Sequence, residues 1–150
     1  MASVQDVAAY ILAKDAPMSA MKLQKLCYFA YGYHLAWEDR QLFPERFEAW
    51  ANGPVVYELY AEHRGKFRLD RGDIAGDPVA LDDDERESVN VVLENFRAYS
   101  AQELSAMSHQ RGPWLDARSR AGVTDLQRSN EELRDEEIAD FFGALVGRED

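Results

Sequence analysis

A chain of 150 residues, 46% hydrophobic and 30% charged, can build one folded core and is too apolar to stay disordered. Seventeen Lys and Arg against 28 Asp and Glu give a formal net charge of −11, a field that repels phosphate backbones and speaks against direct nucleic-acid binding. No run approaches the roughly eighteen apolar residues of a membrane span, the first residues carry no basic leader, and the lone Cys27 excludes a disulfide framework, so a soluble protein of the reducing cytoplasm is expected.

The elements follow in chain order. Ser3 with Asp6 has the spacing of a capping box, and Val4, Val7, Ala8, Ile11 and Leu12 recur at helical intervals until Pro17. Ser19 caps the next helix, over about residues 20–37, where Leu23, Leu26, Cys27, Ala30, His34 and Trp37 form one stripe. Phe29, Tyr31 and Tyr33 make its other faces apolar too, as suits a central helix wrapped by neighbours. Gly32 in its middle predicts a close helix crossing.

Glu38-Asp39-Arg40 closes that helix, and Phe47 to Trp50 alternates like a short extended segment, near residues 46–51. Asn52-Gly53 turns the chain. Pro54 is placed at the first position of a third helix, with Val55, Val56, Leu59 and Tyr60 on its apolar side and Gly65 as its stop. Residues 66–80 read as a surface loop. Residues 82–87, DDDERE, put acid at the start of a fourth helix with Val89, Val92, Leu93 and Phe96 inward. Ser100 and Glu103 form another capping box, leading into LSAMSHQRGPWLDAR. After a polar stretch at 119–129, Asn130 caps a last helix with Leu133, Ile138, Phe141, Phe142 and Leu145 buried. The expected fold is mainly α: a single domain, residues 1–150, of about six helices around the central apolar one.

The chemistry-bearing residues are sparse. His34, His63 and His109 lack the i, i+4 pairing of a zinc helix, so no metal or cofactor is expected. Cys27 and His34 lie two turns apart, a spacing that suits a buried thiol and a hydrogen-bonded core histidine better than a nucleophile and its base. Asp83 and Glu87 read as a solvated helix face. The charge itself is asymmetric: residues 1–68 hold eight basic and eight acidic side chains, whereas 69–150 hold nine and twenty. That half would steer a basic protein partner. Three Trp, seven Tyr and seven Phe supply more aromatic surface than a small core needs, and such rings anchor interfaces.

Three segments in series resemble one family. MKLQKLCYFAYGYHLAW is similar to its K-L-x-K-L-x-Y helix at Lys22, Leu23, Lys25, Leu26 and Tyr28, with Gly32, His34 and Leu35 after it. FEAWANGPVVYELY matches at Glu48, Ala49, Trp50, Gly53, Pro54, Val55, Val56 and Tyr60. LSAMSHQRGPWLDAR matches at Leu104, Ser105, His109, Pro113 and Trp114. Together, over about residues 5–145, they resemble the Panacea domain of SocA-like antitoxins, also described as phage-associated GepA-like proteins. Ser108 stands where Thr is usual, keeping a hydroxyl, and Tyr57 stands where many relatives have Pro.

The resemblance implies a non-enzymatic cytoplasmic antitoxin that binds a cognate toxin protein encoded beside it. A relative's second mode, delivery of the toxin to an ATP-dependent protease, is the alternative, and a hydrolase built around His34 or His109 is a more distant one. Trp50 and the Gly53-Pro54 turn are expected to fix the angle between the second and third helices, with Tyr57 and Glu58 displayed outward. Partner-binding candidates are Tyr57, Glu58, Asp83, Glu87, Glu131, Glu132 and Glu136, the acids being those that helical spacing turns away from the buried stripes.

Overall fold

In the computed structural model of the chain, which describes residues 1–124 and 126–147, Ser3 opens the first helix as its spacing predicts. Its hydroxyl accepts from the Asp6 amide at 3.1 Å and its own amide donates to the Asp6 carboxylate at 3.0 Å, a reciprocal cap on α1 (Val4–Asp15). Helical backbone is disfavoured before Pro17, so α1 ends there. A two-residue strand, β1 (Met18–Ser19), leads into α2 (Ala20–Glu38), whose first turn is capped by the Ser19 hydroxyl accepting from the Lys22 amide at 3.1 Å.

The remaining elements are β2 (Phe47–Trp50), β3 (Gly53–Val56), α3 (Tyr57–His63), β4 (Arg68–Leu69), α4 (Asp83–Phe96), α5 (Ala101–Ser108), α6 (Pro113–Ala121) and α7 (Asp135–Gly147). Strands β1 and β4 form one small antiparallel sheet, β2 and β3 the other. The fold is mainly α, with α2 at its centre against α1, α4, α5, α7 and β3.

Two packing features make α2 the axis. At Gly32, a Cβ would sit 2.1 Å from the ring of Phe142, so α7 approaches α2 more closely than any side chain there would permit. The edge of Phe142 then meets Tyr28 at 5.5 Å, Tyr33 at 5.0 Å and Phe29 at 6.0 Å between ring centroids. Each such ring contributes about 2–3 kcal/mol through burial and roughly 0.5–1.5 more through edge-to-face geometry. Just past the C-terminal end of α2, Arg40 reaches Asp82 at 3.0 Å and Glu85 at 3.4 Å. Those two acids form the reciprocal cap of α4, so one guanidinium ties the close of α2 to the start of α4.

Four expectations are corrected. Pro54 begins no helix: it lies in β3 opposite Ala49, where its carbonyl accepts from Lys25 Nζ at 3.0 Å and holds the chain extended until Tyr57. The segment LSAMSHQRGPWLDAR is two helices rather than one, because Pro113 takes the first position of α6 and breaks the run, so the described residues hold seven helices. Asn130 caps nothing. The Ala49 amide donates to the Glu131 carbonyl at 2.8 Å and the Leu133 amide to the Phe47 carbonyl at 2.9 Å, which keeps 131–133 extended beside β2 and delays α7 to Asp135. Residues 66–80 are not all surface loop, since they hold β4 and bury Leu69 and Ile74. Asp125, within the polar stretch expected at 119–129, lies outside the described residues.

Candidate functional site

The β2–β3 hairpin is the meeting point of the three family-like segments. Gly53 has φ +124°, a conformation for glycine, and a Cβ there would lie 2.5 Å from Lys25 Cε. From α2, Lys25 holds the Pro54 carbonyl, and Gln24 pairs with Val56 as a strand would: its Oε1 accepts from the Val56 amide at 3.0 Å and its Nε2 donates to the Val56 carbonyl at 3.2 Å. From α5, Ser105 Oγ donates to the Asn52 carbonyl at 2.6 Å. From α6, Trp114 Nε1 donates to the Trp50 carbonyl and Arg118 Nη1 to the Ala49 carbonyl, both at 2.8 Å. Residues 131–133 take the rest of the β2 edge. Both outer edges of the hairpin are therefore occupied by the chain's own donors and acceptors.

The clamp residues are themselves fixed. His109 stacks on Trp114 with ring centroids 4.0 Å apart at 6°, and the Arg118 guanidinium lies 5.1 Å from the Trp114 ring centroid. Arg118, buried, also donates to the carbonyls of Thr124 and Gln127, each at 2.7 Å, and so fastens the loop after α6 to the hairpin. Ser108 Oγ donates to the Ser105 carbonyl at 2.7 Å.

The titratable core groups are sealed. Burial pushes Lys25 down to about 7 and the Cys27 thiol up to about 12, so neither is a reactive group facing solvent. His34 Nδ1 meets Ser88 Oγ at 2.7 Å, while its Nε2 is buried without a partner; burial, then the nearby Arg40 charge, holds its pKa below the ordinary value. His63 meets Gln24 Nε2 at 3.0 Å, and burial lowers it likewise. Among the described residues no group of three or more His, Cys, Asp and Glu could hold a metal.

The open side of the hairpin is different. A cleft of about 870 Å³ is lined by Glu48, Trp50, Val55, Tyr57 and Tyr60, with residues 128–130 as its far wall. Trp50 and Tyr60 meet at 4.9 Å and 65°, Tyr57 stands 6.2 Å from Tyr60 with 45% of its surface exposed, and Trp50 Nε1 donates to Glu48 Oε1 at 2.8 Å. Trp50 is half-buried, so it is wall of the cleft as much as the wedge between helices that its sequence context suggested.

Tyr57 and the exposed Glu58 stand together at the start of α3, beside this cleft. The acidic candidates do not join them as one patch. Asp83 is paired with Arg86, and Glu87 lies beside Trp37 in a shallow depression, both near the C-terminal end of α2. The hairpin is held near Gln24, so about 20 Å of α2 separates the two sets. Glu131 and Glu132 lie along the β2 edge, Glu132 opposite Glu48, and Glu136 is in the first turn of α7: Glu131 is 3.5 Å from Arg120, Glu132 is 4.0 Å from Arg46, and Glu136 is exposed.

Sequence reasoning missed the roles of Gln24, Arg118 and the 131–133 edge. Gln24-Lys25 was the available signal, two polar residues on the central helix, apolar on nearly all faces; Arg118 had none, because nothing local distinguishes it from its exposed neighbours.

The family described as "Antitoxin SocA-like, Panacea domain" matches residues 23–115, which run from α2 through the hairpin to the Trp114 clamp. The chain is 38% identical over 114 residues to Antitoxin SocA of Caulobacter vibrioides (strain NA1000 / CB15N), an alignment covering 68% of this chain and 61% of that protein. No solved structure matches the chain.

Proposed function

The chain belongs to the SocA-like, Panacea-domain antitoxin family, and on that premise we propose that it is an antitoxin that neutralises a cognate toxin in the cytoplasm by direct protein–protein binding. The observation that carries this is the aromatic cleft at Trp50, Tyr57 and Tyr60. Half-exposed aromatic rings on a backbone immobilised from three helices are the kind of preorganised anchor that interfaces use. Binding rather than catalysis is the reading because Cys27 and His34 are sealed in the core, and His34 Nε2 has no carboxylate to orient it. The acidic faces at Asp83, Glu87, Glu132 and Glu136 would steer a basic toxin without forming the anchor. No helix among the described residues is long and apolar enough to cross a membrane.

Co-expression with the protein encoded beside it is the test. That protein should be toxic alone, harmless with this chain, and co-purify with it. Toxicity unrelieved by this chain would overturn the reading, and rescue that vanishes without an ATP-dependent protease would assign delivery for degradation instead of neutralisation by binding.

A further inference from the structure

The cleft beside the hairpin has a chemistry more specific than an apolar anchor. Strand addition is closed to any partner here, because both hairpin edges are already hydrogen-bonded within the chain. A partner must therefore be read through its side chains. What the cleft offers them is two electron-rich rings meeting at 65°, a third 6.2 Å away, and one carboxylate. Glu48 accepts from the Trp50 indole through Oε1 alone, and no basic side chain among the described residues lies within ion-pair distance of it. A half-buried carboxylate at the N–H edge of a tryptophan, without a cation of its own, is complementary to a cation from elsewhere. Arg64, four residues on, already places its guanidinium 5.5 Å from the Tyr60 ring, so an incoming cation shares that ring and has Trp50 and Glu48 to itself.

We propose that this cleft takes one cationic side chain, an arginine or lysine of the partner, stacked against Trp50 and Tyr60 and paired with Glu48. The assignment deepens the antitoxin reading by giving the chemistry of the contact, and rests on that reading only for the identity of the partner. Arg128 also lines the cleft and argues for the opposite sign of ligand. It sits exposed on the far wall, whereas Glu48 is bonded to the central ring, and the net charge of −11 favours an incoming cation.

The experiment uses the full chain, 15N-labelled, and follows the Trp50 indole N–H resonance at constant ionic strength. The probes are N-acetyl-arginine amide and its neutral isostere, N-acetyl-citrulline amide. The expected result is a saturable shift with the arginine probe, at least tenfold weaker with citrulline. Glu48→Gln, whose amide oxygen can still accept from the indole, should weaken arginine binding at least fivefold, and Tyr57→Ala should weaken it as well. Arg128→Gln should leave binding unchanged or tighten it. Equal or unsaturable shifts with the two probes, indifference to Glu48→Gln, or loss of arginine binding in Arg128→Gln overturn the proposal, since removing a like charge cannot weaken a cation held by Glu48 and the rings. The complex with the co-encoded protein separates the two levels. If no complex forms while the arginine probe binds, the antitoxin reading fails and the cation site stands. If a complex forms with undiminished affinity in Glu48→Gln and the probe does not bind, the cation site falls and the antitoxin reading stands.

Discussion

Replacing Lys25 by methionine should make stability nearly independent of pH where the unaltered chain gains it. Lys25 is fully buried, and its Nζ has the Pro54 carbonyl as its hydrogen-bond acceptor, with no carboxylate opposite. Burial lowers its pKa from 10.5 to about 7. At roughly 1.4 kcal/mol per pH unit, that difference is a penalty on the order of 5 kcal/mol for keeping the charge in the fold. The folded-state pKa is the lower one, so between about pH 7 and 10.5 the unfolded chain holds a proton that the folded chain has released. Stability therefore rises with pH across that window, and the full penalty persists below pH 7. Methionine removes the penalty but leaves the buried Pro54 carbonyl without its donor, a loss of about 1–3 kcal/mol that does not titrate. The variant should be the more stable at pH 7 by about 2–4 kcal/mol, and the gap should close by roughly 3 kcal/mol at pH 9.5. Guanidinium denaturation followed by tryptophan fluorescence at half-unit steps measures it. Cys27, raised by burial from 9.0 to about 12, loses stability above about pH 9, but equally in both proteins, so the difference between them reports Lys25. His34 and His63, both lowered by burial, lose stability only as pH falls below 6.5, and the raised phenols of Tyr28 and Tyr31 lose it only above about 10. Parallel curves for the two proteins between pH 7 and 9.5 would show that Lys25 stays charged in the fold, and the desolvation argument would be wrong.

Gly32→Ala should lower stability by about 1–3 kcal/mol or more, since its methyl collides with the Phe142 ring, and Phe142→Leu should restore part of the loss; an unchanged thermal melt would mean α7 docks elsewhere. Trp50→Ala should cost about 1–2 kcal/mol, below the 3–5 of a fully buried ring, because one side of the indole already faces the cleft; a larger drop in the same melt would place the ring in the core. With a toxin in hand, Glu132→Lys together with Glu136→Lys should slow association and reduce its dependence on salt, while Tyr57→Ala should raise the dissociation rate. Binding kinetics at low and high salt that show no response to the charge reversals would leave the acidic face as solubilising surface only.

Periodicity and capping chemistry lie within a few residues of the positions they govern, so the sequence alone determined α1, α2 and the start of α4, through Ser3–Asp6, Ser19 and the acids from Asp82, and Gly32 marked a close helix crossing, though not that α7 makes it. The alternation of Phe47 to Trp50 was legible for the same reason. What tertiary structure decided is everything that depends on a partner distant in the chain. Pro54 has local chemistry suited to a helix start, yet the buried Lys25 ammonium holds its carbonyl, and Ala49 faces it across the hairpin. Asn130 suits a cap, yet Ala49 and Phe47 draw the following residues into an extended edge. The cleft follows from the same cause: Glu48, Trp50, Tyr57 and Tyr60 are close in sequence, but they become a rigid site only because Gln24, Ser105, Trp114 and Arg118, from three other helices, consume the hairpin's main-chain hydrogen bonds. A buried amide or carbonyl must find a partner wherever the fold brings one, and no local pattern records which residue that will be.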